Sequence, residues 1–324
     1  NFRPSLRTRI NWRAALMSSG ELALAAAITE TGLEKHAAEI AMYNPKAQAR
    51  ILDTAYDLLQ YRYNRTRGAR QPYARASLAL LRLRSTLPAG DTVPSQPAPE
   101  EAPHQGHASA RADFGVGQLD DTAFAELRIR PAYHDLLDPP AGFVEGAEIN
   151  MFALALRAYA NDAVRLESFE FLDIVSLSPR SELFKPLSWG INVALRREWI
   201  SPVKRPLTFA LSAAGGWSYA LGQSLLTYAL AEADLLVADE LPGELAAGAG
   251  PAAGIVWRVT PDWNAQLNAK ALYFPGDLDH TLVEYSLEQN FALSPAWGLR
   301  LSIGRQGIST AAVTEAQLSF NHYF

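Results

Sequence analysis

The residues best suited to chemistry fall in one short run, Arg130-Pro131-Ala132-Tyr133-His134-Asp135-Leu136-Leu137-Asp138. A histidine transfers protons near neutral pH, and an adjacent carboxylate orients it. His134 and Asp135 form such a pair, while Asp173–Arg180 holds Ser176 and Ser178, hydroxyls able to act as nucleophiles once activated. A set of His134, Asp135 and Ser176 would suit a hydrolase. No GxSxG-type turn accompanies the serines, and spacing alone does not bring the three groups together. Aspartate and arginine also pin long turns by charge-assisted hydrogen bonds. The expectation is therefore a structural or docking use of Arg130, Tyr133, His134, Asp135, Asp138, Arg180 and Trp189.

The sequence has no cysteine, which excludes disulfides, thiolate-zinc sites and a cysteine nucleophile within it. His104 and His107 lie near Glu100 and Glu101, but their Pro-rich surroundings make them linker decoration. Neither a metal nor a cofactor is expected. The net charge of −5, with acids and bases well mixed, lacks the basic footprint of a nucleic-acid binder.

The elements that position these residues change character along the chain. Residues 1–88 have helical period. Ser18-Ser19-Gly20-Glu21 has capping-box spacing, and Asn44-Pro45 is a cap followed by an N1 proline. Leu52, Ala55, Tyr56, Leu59 and Tyr63 then recur on one helical face, as do Tyr73, Ala76, Leu80, Leu83 and Leu87. Four or five packed helices are expected. Residues 89–107 are rich in Pro, Ala, Gly and Ser and predict an extended linker.

From about residue 108 the period becomes two. Trp263, Ala265, Leu267, Ala269, Ala271 and Tyr273 alternate with Asn264, Gln266, Asn268 and Lys270, and four later or earlier segments repeat the pattern. Such segments are long enough for tilted membrane crossings. Trp263, Tyr273, Trp297 and Tyr323 stand at strand ends, where interfacial aromatic girdles belong. No apolar run approaches the roughly 20 residues of a spanning helix. About twelve strands are predicted in 108–324, the eighth being Gly254–Thr260 after a mobile loop at 237–253. The fold expected is a small all-α domain followed by an antiparallel transmembrane β-barrel, α+β in sequence order. An even count puts both barrel ends in the periplasm of a Gram-negative cell, with the helical domain there too. Arg128, Arg196, Lys270, Glu284, Glu288, Arg300 and Glu315 would then face a lumen filled by paired charges.

The two turn runs, the second extending through Phe184, Pro186, Leu187, Ser188 and Trp189, resemble the C-terminal region of the Lnb N-terminal periplasmic domain family of proteobacterial envelope proteins. Leu52-Asp53-Thr54-Ala55-Tyr56-Asp57-Leu58-Leu59-Gln60-Tyr61-Arg62 looks like their helical region. The resemblance implies an upstream periplasmic domain with a Cys-based, peptidase- or acyltransferase-like site. Since no such domain or cysteine is present here, none of that chemistry transfers to a residue of this chain, which reads as part of something longer.

The function expected is that of an outer-membrane anchor and docking platform for that absent domain. Its partners would be outer-membrane lipid, the missing N-terminal domain and the barrel-assembly machinery, which reads a terminal aromatic such as Phe324. Two alternatives stand beside it, a barrel-embedded lipid-processing hydrolase and a narrow channel.

Overall fold

The computed structural model describes residues 4–66, 68–90, 93–94, 96–97, 106–160, 162–201, 204–308 and 311–324. The chain divides into two compact units, Asn1–Glu100 with Glu182–Phe184, and Glu101–Ser181 with Lys185–Phe324. Much of the expected linker, including Glu100, Glu101 and His104, lies outside the described residues.

The first unit holds α1 (Leu6–Ala14), α2 (Ser19–Thr31), α3 (Ala37–Ala41), α4 (Pro45–Thr66) and α5 (Arg70–Ser85). Ser18 and Glu21 close a reciprocal capping box at the start of α2. Asn44 caps α4 by accepting from the Ala47 amide at 2.9 Å. The apolar faces meet in a core of Leu24, Ala25, Ile28, Ile40, Ile51, Leu52, Ala55 and Leu80. Ile10, Leu58 and Phe184 form a second cluster, with the Tyr61 ring edge-on to Phe184 at 5.0 Å. Asp57 is buried and takes hydrogen bonds from Arg9 Nη2 at 2.7 Å and Arg13 Nη1 at 3.0 Å. No helix among the described residues is long and apolar enough to cross a membrane.

The second unit is an antiparallel barrel of β1 (Arg111–Leu119), β2 (Thr122–Arg130), β3 (Ala132–His134), β4 (Ala147–Tyr159), β5 (Val164–Ser176), β6 (Ser188–Arg197), β7 (Leu207–Leu221), β8 (Leu225–Val237), β9 (Leu245–Thr260), β10 (Trp263–Phe274), β11 (His280–Ser294), β12 (Trp297–Ile308) and β13 (Ala311–Tyr323). β2 and β3 both pair with β4 and fill one barrel position, so the circuit has twelve. Closure comes from β1 against β13, from Arg111↔Tyr323 to Leu119↔Glu315. The rim where β1 begins and β13 ends, here the terminal rim, also carries the long turns 135–146 and 177–187.

Alternate side chains point in and out, and the two faces are inverted relative to a water-soluble protein. Leu267, Tyr273, Val283, Tyr285, Leu287, Leu318 and Phe320 are exposed on the outside. Asn264, Asn290, Asn321, Arg130, Glu126 and Asp234 are buried inside. An apolar exterior over a closed, edge-free sheet is the pattern of a membrane-spanning barrel of the outer-membrane type.

Two expectations need correction. β9 begins at Leu245, not Gly254, so most of the supposed loop 237–253 is strand. Its small residues answer to packing rather than mobility. A side chain at Gly248 would strike the Phe274 ring at 2.6 Å, and one at Gly254 the Tyr228 hydroxyl at 2.4 Å. Tyr323 is not part of an external girdle. It is 2 % exposed and points into the lumen, while Trp297, Phe320 and His322 stack outside it.

Candidate functional site: a plugged, charged lumen

The turn after β3 folds into the barrel instead of out of it. It is built around two aspartates that complete each other's turn. Asp135 Oδ1 accepts from the amides of Leu137 and Asp138, both at 3.0 Å, and Asp138 Oδ2 accepts from the Asp135 amide at 3.0 Å. Gly146 ends the excursion at φ +73°, where a Cβ would lie 2.4 Å from the Leu177 carbonyl oxygen.

Side chains from six strands hold this plug. Arg111 on β1 donates to Asp135 at 2.6 Å and Asp138 at 2.7 Å. Arg130 on β2 lies 2.6 Å from Asp138 Oδ2, and Arg300 on β12 donates to Asp135 Oδ1 at 2.8 Å. Asn264 on β10 and Asn290 on β11 donate to the Leu137 carbonyl at 3.2 and 3.0 Å. The Tyr323 hydroxyl on β13 donates to Asp138 Oδ1 at 2.8 Å. Burial by itself would raise both carboxyls. The guanidiniums outweigh it, Arg300 and Arg111 foremost for Asp135 and Arg130 foremost for Asp138, and hold both acids below the ordinary carboxylate range.

Two histidines adjoin the plug. His107 Nε2 is 3.0 Å from His134 Nδ1, and both rings stack on Phe143 with centroids 4.3 and 4.2 Å away. Burial lowers the His107 pKa below its ordinary 6.5, against the pull of Asp138.

Beyond the plug the lumen opens into a chamber of about 680 Å³. Arg128, Arg196, Lys270, Glu284, Glu288, Arg300 and Glu315 all line it. Most of its charges are paired across strands. Arg157 Nε is 2.5 Å from Glu126 and its Nη2 2.6 Å from Glu315. Arg128 lies 3.4 Å from Glu170, Arg196 3.2 Å from Asp234, and Lys270 within 3.3 Å of both Glu232 and Glu284. Toward the opposite rim the inward positions turn apolar, with Leu236, Leu272, Phe274, Leu282 and Ile308 in one cluster with Ile200 and Leu241.

Of the residues singled out by sequence, Arg130, His134, Asp135 and Asp138 come together, inside the barrel rather than on a docking face. Tyr133 is exposed, its ring 5.1 Å from that of Phe143. The Arg180 amide donates to the Ser218 carbonyl at 2.9 Å, and Trp189 stands exposed on the outside. Ser176 Oγ lies 3.4 Å from Ser178 Oγ, and among the described hydrogen bonds it has none to His134. The hydrolase set is thus not assembled. Sequence reasoning missed Arg111, Asn264, Asn290, Tyr323 and His107. Each of the first four occupies an inward position of the period-two pattern, which is the signal that marks it.

The family model described as Domain of unknown function (DUF7840) matches residues 100–323. A second, Domain of unknown function (DUF7842), matches residues 1–96. No curated protein matches the chain. Among solved structures, a KdgM porin in complex with disordered oligogalacturonate is similar at 10% identity and TM-score 0.39, covering 66% of this chain and 99% of that one. The NanC porin is similar at 7% identity and TM-score 0.43, with 66% and 99% covered. An outer membrane channel from Pseudomonas putida F1 is similar at 9% identity and TM-score 0.43, with 71% and 100% covered.

Proposed function

The chain belongs to the family described as Domain of unknown function (DUF7840), and from that premise we propose that its barrel is an outer-membrane anchor, closed from within, that presents a periplasmic helical domain and docks a further periplasmic domain. The plug is the observation that carries the anchor reading. Six strands spend lumen side chains on one inward turn, which obstructs a path that a channel would keep clear. The docked partner is the peptidase- or acyltransferase-like domain implied by the resemblance of the two turn runs to the Lnb-like family. Because Asp135 and Asp138 face the lumen, docking falls to exposed residues of the terminal rim, Val144 and Leu187.

In planar bilayers the purified chain is expected to be silent, and Val144→Arg with Leu187→Arg to abolish capture of the upstream domain by the barrel. A steady open conductance in the wild type would overturn the anchor reading. Unchanged capture by the double variant would overturn the docking surface.

A channel is the second reading, favoured by the 680 Å³ charged chamber. It requires the plug to leave, and the same recording under conditions that unseat the plug separates the two.

A further inference from the structure

We infer that His107, His134 and Asp138 form a binding site for a zinc-class divalent cation, which staples the plug to the barrel wall. His107 stands just before β1, His134 ends β3, and Asp138 is in the plug itself. His107 Nε2, His134 Nδ1 and Asp138 Oδ2 are separated by 3.0, 3.8 and 4.0 Å. A point equidistant from three atoms so placed lies about 2.1 Å from each, the bond length of zinc to imidazole nitrogen or carboxylate oxygen. An ion at that point stands at bonding distance from all three ligand atoms, one of which, Asp138 Oδ2, also receives Arg130 at 2.6 Å and the Asp135 amide at 3.0 Å.

The surroundings are those of a ligand set. His107 Nδ1 lies 2.7 Å from the Ala108 carbonyl, so its N–H donates there and Nε2 is the nitrogen left with a lone pair. Without an ion, His134 Nδ1–H donates to that lone pair. Binding requires only that the His134 proton move from Nδ1 to Nε2, so no net proton is released. Phe143 stacks on both imidazoles and fixes their planes. A cavity of about 30 Å³ adjoins His134 and Asp138, also lined by Asn264 and Arg258, with room for a water as fourth ligand.

Electrostatics decide which ion fits. Arg111, Arg130 and Arg300 already balance Asp113, Asp135 and Asp138. A dication thus gains little from net charge, and its binding rests on the imidazole lone pairs. Ions that favour nitrogen, such as Zn²⁺, Co²⁺ or Ni²⁺, are selected over Mg²⁺ and Ca²⁺.

The test uses the full chain in detergent, stripped with EDTA and titrated with Zn²⁺ by calorimetry. One ion per chain is expected, with Mg²⁺ giving no heat. His107→Gln and His134→Gln should each weaken binding by at least the roughly 10–100-fold that loss of an outer-shell partner costs, while His36→Gln and His322→Gln leave it unchanged. If the site variants fail to fold, as read by heat-modifiable gel mobility, X-ray absorption of the zinc-loaded wild type decides. Two imidazole nitrogens at about 2.0–2.1 Å support the site. A wild type that binds no zinc, zinc without two imidazoles, or affinity untouched in folded site variants would each overturn it.

Discussion

Replacing Asp138 with alanine tests how the plug is held. The carboxylate is fully buried and receives Arg130 at 2.6 Å, Arg111 at 2.7 Å, Tyr323 at 2.8 Å and the Asp135 amide at 3.0 Å. Removing it leaves Arg130, only 2 % exposed, with Asp135 at 3.2 Å as its remaining acid. Arg130 Nε and Nη2 already lack partners among the described residues. Breaking a buried pair on one side costs about 3–5 kcal/mol. That cost falls on the seated plug, since the unseated turn and its arginines regain water. The ratio of seated to unseated plug then drops by about two to three and a half decades, at 1.4 kcal/mol per decade. Two assays follow it, single-channel recording in planar bilayers and limited proteolysis within 135–146. The variant should conduct intermittently and be cut in that segment while its barrel still migrates as folded. Adding Arg130→Met should recover part of the loss, because the stranded cation is gone. A variant as silent and as resistant as the wild type would refute the reasoning that these ion pairs seat the plug.

Three further outcomes are expected. Both plug acids have depressed folded-state pKa values, so their contribution is complete above the ordinary carboxyl value of 3.8 and is lost as pH falls below it; plug release followed by conductance should therefore be absent at pH 5 and appear only in stronger acid, and release at pH 5 would contradict the assignment. In the helical unit, Asp57→Ala strands Arg13 beside its lost partner and should lower the helical transition of the full chain, read by circular dichroism in urea, by about 2–4 kcal/mol while barrel gel mobility is unchanged; equal helix stability would show the pairs to be idle. On the barrel exterior, Leu267→Arg puts a cation on a lipid-facing strand and should cost about 2–4 kcal/mol in a bilayer if it lies near the midplane, with far less effect in detergent; equal refolding yields in both would argue against a lipid-facing position.

The helical period, the capping box at Ser18 and Glu21, and the in–out alternation of β10 to β13 were legible because each depends on neighbours within a turn or a strand. Alternation also placed all seven expected lumen charges on the inner wall. β9 was shortened because Gly248, Gly250 and Ala252 carry no polar or apolar contrast, and the size of the two glycines makes sense only against other strands, Gly248 under the Phe274 ring and Gly250 against the backbone at Ala271. His107 passed for linker for a similar reason, since its partners His134 and Asp138 are 27 and 31 positions away.

By itself, then, the sequence determined which residues face lipid and which face the interior, because a pleated strand alternates whatever surrounds it. Only the tertiary structure decided what the interior residues meet. Arg111, Asn264, Asn290, Arg300 and Tyr323 converge on one turn because the sheet closes between β1 and β13, and closure is a property of all twelve positions together that no local period encodes.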